Sequence, residues 1–149
     1  MSMIKLVIFD VDGTLVDSEV IYVKAALKNL EVNHYNIPMS AIMGIIGQNR
    51  VAGQKLIEST QGDSFDYDKY LEDFRKIRDE LLEKEPYKLK KGAINILNYC
   101  KEHGIRMAIA TSTYREKQVK ALTNLGIIDY FDYMVFGDEI KNSKPAPDI

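Results

Sequence analysis

Residues 4–9, IKLVIF, form a short apolar run rich in β-branched side chains that stops at Asp10. Such a run predicts a strand buried on both faces. From residue 18 to 84 the period changes. Ser18 followed by Glu19 opens a predicted helix to about Leu30. Weaker helical patterns cover 40–46 and 50–60. In DKYLEDFRKIRDELLEKE, Tyr70, Leu71, Phe74, Ile77 and Leu81 recur at helical spacing. Pro86 ends this region, because a proline disfavours helix in the residue before it. No stretch here reads as a buried strand, so an all-helical insert is predicted. From Gly92 the pattern alternates. GAINILNYCKEHG predicts a helix with Gly104 just past its end, and YREKQVKALTNLG another closed by Gly126. Between them IRMAIAT reads as a second buried strand, and YMVFGDEI holds a third short one. Strands alternating with helices predict an α/β fold with a doubly wound parallel sheet. No internal repeat or low-complexity segment interrupts it.

Composition narrows the function classes. The chain has 149 residues, 46% hydrophobic and 28% charged, an ordinary balance for a globular core. Its net charge of −2 offers no broad basic field, so nucleic acid is not an expected partner. A small anionic substrate would need a local positive site. The single cysteine, Cys100, excludes an intrachain disulfide and fits a reducing compartment. The N-terminal apolar run, interrupted by Lys5, is too short for a membrane span and wrong for a signal peptide. A cytoplasmic location is expected, with no membrane partner.

Three segments carry chemistry. In DVDGT, Asp10 and Asp12 sit two apart at the C-terminal end of the first strand, the edge where open α/β sheets bind ligands. Two carboxylates there repel unless a cation or a proton separates them. A hard cation such as Mg2+, bound through oxygen, resolves the conflict. Gly13 permits a tight turn, and Thr14 adds a hydroxyl. Thr111-Ser112-Thr113 follows the second strand, where a hydroxyl and backbone N–H groups could hold a phosphate oxygen at a helix N-terminus. Lys144 lies in NSKPAPDI, stiffened by Pro145 and Pro147, and could balance charge on a phosphate and a carboxylate. Taken singly, each has a plain reading: solvated aspartates at a turn, an N-cap cluster, a loop lysine. Their order after successive strands brings all three to one sheet edge.

That combination, DVDGTLVDS with SKPAPD, resembles the haloacid dehalogenase superfamily over nearly the whole chain. The insert after the first motif resembles the cap of the subgroup containing β-phosphoglucomutase and phosphoglycolate phosphatase. The resemblance implies a Rossmann-like core at 1–15 and 87–149 with a helical cap at 16–86. It implies that Asp10 attacks phosphorus to give an aspartyl-phosphate. Asp12 would protonate the leaving oxygen and then take a proton from water. Mg2+ would bind the Asp10 carboxylate and the Asp12 carbonyl. Thr111, with Ser112, Gly13 and Thr14 nearby, would hold the phosphoryl group, and Lys144 would balance its charge. The cap would close over the site and choose a small phosphorylated sugar or organic acid. True dehalogenases lack the second aspartate, so dehalogenation is not expected. Gly47-Gln48-Asn49-Arg50 falls where the subgroup carries a substrate loop. Arg50 could grip a second anionic group or be a surface arginine. Tyr22 and Ile46 align with the cap histidine and lysine that assist the mutase, which favours phosphatase over a phosphosugar mutase.

One departure matters. The family completes its metal site with a fourth acidic motif on a later strand that lies beside the first. Ile149 comes five residues after Lys144, and Asp138 and Glu139 fall beside the site entrance instead. The expectation is a C-terminally truncated, catalytically incomplete core with little Mg2+-dependent turnover. An unpaired edge on strand 4–9 would invite a strand-exchanged dimer, where a complete protein would be monomeric. Another reading, a receiver-type phosphoacceptor module, also clusters acids, Thr/Ser and Lys around Mg2+. Its phosphoacceptor lies on a middle strand, however, and it lacks so long a helical insert. His34 and His103 are expected on the surface and Cys100 in the core. The charged run 72–85 is expected on a solvated helix face.

Overall fold

The computed structural model describes residues 4–46, 50–62, 64–142 and 144–149, and leaves the Arg50 side chain outside that set. In chain order the elements are β1 Leu6–Phe9, α1 Glu19–Val32, α2 Met39–Ile45, α3 Arg50–Gln61 and α4 Tyr67–Lys84. Then follow α5 Ala93–Glu102, β2 Arg106–Ala110, α6 Arg115–Asn124 and β3 Tyr133–Val135. A 3-10 turn, Ile128–Tyr130, has no counterpart in the sequence reading. The chain divides into two compact units, Met1–Ser18 with Tyr87–Ile149, and Glu19–Pro86.

The first unit is an α/β core. Its sheet has the order β1-β2-β3, and both pairings are parallel. Leu6 faces Arg106, Phe9 faces Ile109, and Ala108 faces Tyr133. Alternation sends Val7, Phe9, Met107 and Ile109 to one face. There they pack with Leu97 and Cys100 of α5, Leu122 of α6, Val11 and Phe131. The expectation that the first strand is buried on both faces is corrected. Ile8 is 62% exposed and Leu6 44% exposed. They point to the opposite face with Ala108 and Ala110, alongside Ile149. Neither α5 nor α6 packs there, because both share the Phe9 face. Among the described residues β1 pairs on one side, with β2. Residues 15–17 and 88–90 run past each other: Asp17 N–H donates to Lys88 O, and Lys90 N–H donates to Leu15 O.

Among the described residues, the regular elements of the second unit are all helices, α1 to α4, as the 3.6-residue period predicts. Its core gathers Ala26, Ile37, Ala41, Ile42, Ile57, Tyr67 and Tyr70. The rings of Tyr35, Phe65 and Tyr67 all lie within 5.3–5.9 Å of Tyr70, centroid to centroid. Asp66 caps α4 by accepting the Lys69 N–H at 2.9 Å. Buried Asn29 donates to Tyr70 O and accepts from Asn33, so its polar atoms are satisfied. No described helix is long and apolar enough to cross a membrane.

Candidate active site

The first site segment is set by one carbonyl. Immediately past β1, Val11 is fully buried, and its oxygen accepts N–H groups from Thr14, Leu15 and Val16. Gly13 donates back to Val16 O with φ of 74°, a conformation that glycine adopts without a Cβ penalty. This knot holds Asp10 and Asp12 at the C-terminal edge of the sheet. Thr14 is exposed.

The second segment leaves β2. Thr111 is 1% exposed; its N–H donates to Val135 O of β3, and its hydroxyl oxygen accepts the Thr113 N–H. Ser112 is exposed. The Thr113 hydroxyl donates to Asp12 Oδ2 at 2.8 Å. The third segment brings Lys144 to the same edge. Its Nζ lies 2.7 Å from Asp10 Oδ1 and donates to Ala110 O at 2.9 Å. Both side chains of the Lys144–Asp10 pair are about two-fifths exposed (39% and 42%), so solvent screens the attraction. Exposed pairs of this kind contribute only about 0–1 kcal/mol, and this one matters chiefly for placement.

Asp10, Asp12, Thr111 and Lys144 therefore come together within one unit. A cation stands beside Asp10 and a neutral hydroxyl beside Asp12, so the two carboxylates have unlike surroundings. Thr113 was visible in the sequence as part of a hydroxyl cluster, but its bond to Asp12 spans 101 positions and leaves no local signal. The turn after β3 was read only as lying beside the entrance. Here it clamps the second segment: Arg115 N–H donates to Asp138 Oδ1, and Arg115 Nε to Glu139 Oε1. The Arg115 guanidinium lies 4.4 Å from the Phe136 ring centroid.

Tyr22, His34, Ile46 and Arg50 belong to the helical unit, and Cys100 and His103 to α5 and its C-terminal cap. Gly47, Gln48 and Asn49 lie outside the described residues, and Arg50 opens α3 with its side chain undescribed. Tyr22 meets Phe74 within the helical unit in a tilted ring contact, 5.6 Å between centroids, and Ile46 caps the end of α2. His34 and His103 are exposed, and Cys100 is buried. Among the described residues no group of three acidic, histidine or cysteine side chains converges as a metal cluster.

A family profile for haloacid dehalogenase-like hydrolases matches residues 7–149. The chain belongs to this family. Among curated relatives, the phosphorylated carbohydrates phosphatase of Thermotoga maritima is 35% identical over 96% of this chain and 66% of its own length. The phosphoglycolate phosphatase of Aquifex aeolicus is 30% identical over 96% of this chain and 65% of that protein. The fructose-1-phosphate phosphatase of Escherichia coli is 33% identical over 95% of this chain and 73% of that protein. The crystal structure of β-phosphoglucomutase from Clostridium difficile superposes with a TM-score of 0.74 at 22% identity, covering 97% of this chain and 67% of that one. At that identity the likeness speaks to the fold. The chain thus spans roughly two-thirds of the length of such relatives.

Proposed function

We propose that this chain carries the site of a Mg2+-dependent phosphohydrolase acting on a small phosphorylated metabolite through an aspartyl-phosphate. The observation that carries the reading is the convergence of Lys144 on Asp10, 2.7 Å apart, beside an Asp12 held by Thr113. Relatives named as phosphatases of phosphorylated carbohydrates, fructose-1-phosphate and phosphoglycolate support the substrate class.

An Asp10 carboxylate oxygen forms the new bond to phosphorus as the bond to the ester oxygen breaks. Asp12 delivers a proton to that departing oxygen. It then takes a proton from the water that attacks the aspartyl-phosphate, which returns Asp10 and releases phosphate. Lys144 offsets negative charge on the phosphoryl oxygens, and the 111–113 segment brings the Thr113 hydroxyl to the same edge. The available donors fit Mg2+: they are all oxygens, and this cation usually takes one or two carboxylates plus substrate phosphate and water. The Asp10 carboxylate and the Asp12 carbonyl would hold it. When bound, it supplies positive charge against the transferring group. The helical unit 19–86 is the candidate for substrate selection.

The test is phosphate release from an aryl phosphate with Mg2+, comparing this chain with Asp10→Asn at confirmed intact mass. The ratio between the rates of the two proteins is the readout. Release abolished in Asp10→Asn supports the reading; equal release overturns it.

A further inference from the structure

The 111–113 segment is tied down by its own bonds and by the turn after β3. Thr113 N–H donates to Thr111 Oγ1 at 3.2 Å, and Thr113 O accepts Gly137 N–H at 3.0 Å. Gly137 sits so close that a Cβ there would lie 2.0 Å from Ser112 O. The next residues are fixed by the Arg115 bonds to Asp138 and Glu139. The backbone beneath the Thr113 hydroxyl is thus tied to both β2 and the turn after β3. Asp12, by contrast, sits on a turn whose backbone bonds run through Val11, Gly13 and Val16 and do not involve its carboxylate. Among the described residues, the Thr113 hydroxyl is the side-chain donor that reaches that carboxylate, at 2.8 Å.

We propose that Thr113 is a positioning residue for Asp12. This deepens the phosphohydrolase reading and rests on it. By engaging Oδ2, the hydroxyl leaves Oδ1 as the oxygen that exchanges a proton with the reacting groups. A hydroxyl suits this task because it donates to Oδ2 and adds no charge of its own beside the two carboxylates. Rotation of an unheld carboxylate would misplace the proton, and a misplacement of about 1 Å can cost on the order of 10²-fold in rate.

The experiment compares Thr113→Val, which keeps the shape and removes the hydroxyl, with Thr113→Ala and Thr113→Ser. The first readout is the side-chain carboxyl ¹³C resonance of Asp12 in the metal-free, substrate-free chain. It needs no turnover. The resonance should move in the Val and Ala variants and return to its original position in the Ser variant. The second readout is aryl phosphate hydrolysis with Mg2+. Val and Ala should lower kcat about 10-fold or more with KM little changed, Ser should restore it, and Val should add nothing in an Asp12→Asn background. An unmoved Asp12 resonance in Thr113→Val overturns the proposal. So does a KM effect without a kcat effect, which would make Thr113 a substrate contact. A failure of the phosphohydrolase reading appears separately, as release that survives Asp10→Asn while the Asp12 resonance still responds to Thr113.

Discussion

Replacing Gly137 by alanine tests how tightly the site loop is clamped. Gly137 follows buried Phe136 at the end of β3, and its N–H donates to Thr113 O. An added Cβ would stand 2.0 Å from Ser112 O, 2.6 Å from Ser112 C and 3.2 Å from Ser112 Cα, where ordinary contact begins near 3.4 Å. Relief requires more than an ångström of movement, and the obstacle is backbone, so no side-chain rotation supplies it. The Ser112 backbone resists, because Thr111 is bonded to Val135 O and Arg115 to Asp138. Overpacking of this kind costs about 1–3 kcal/mol and sometimes more, and weakening the Gly137–Thr113 bond adds about 1 kcal/mol. Alanine also stiffens the unfolded chain, which favours folding by only about 0.4–1 kcal/mol. The clash wins, for a net destabilisation of about 2–3 kcal/mol. Urea unfolding followed by far-UV circular dichroism measures it, as a lower midpoint at unchanged slope. A loss below about 0.5 kcal/mol, or a gain, would refute the reasoning, since that is the behaviour of an uncrowded loop glycine.

Two further predictions concern the helical unit. The Tyr70 hydroxyl is buried with no hydrogen-bond partner among the described residues, so Tyr70→Phe should stabilise the chain by about 1 kcal/mol in the same urea assay; a loss would mean the hydroxyl is bonded. Burial pushes the Tyr70 phenol up to about 12, and burial together with the bond to Asp73 pushes Tyr35 up to about 12 as well. The folded state favours the neutral phenols, so their contribution is complete below pH 10, where free tyrosine ionises, and is lost as pH rises toward 12. Alkaline unfolding should show that decline, made shallower by Tyr70→Phe. An unchanged slope in the variant would remove Tyr70 from the account.

The sequence was most readable where local chemistry decides the outcome. Gly104 and Gly126 end α5 and α6 in left-handed backbone, φ 64° and 69°, as helix-closing glycines should. The DVDGT turn needed Gly13 for the same reason. Parallel order was legible from the alternation of strands and helices. The misreading of β1 has a simple cause: an apolar run states that side chains prefer burial, not which face the rest of the chain covers. Leu6 and Ile8 are as apolar as Phe9, yet only Phe9 is buried. The contacts that organise the site were invisible for another reason. Thr113 with Asp12, and Gly137 with Ser112, are long-range meetings set by strand register, and a close backbone approach leaves no periodic trace in sequence.

The central claim is that Asp10 becomes covalently phosphorylated. The most direct test incubates the chain with an aryl phosphate and Mg2+, quenches it in acid, and locates any phosphoryl group by mass spectrometry of the peptide spanning Asp10. The account predicts a phosphoryl group on Asp10 that disappears in Asp10→Asn. A phosphoryl group on another residue, or phosphate released equally by Asp10→Asn, would contradict it.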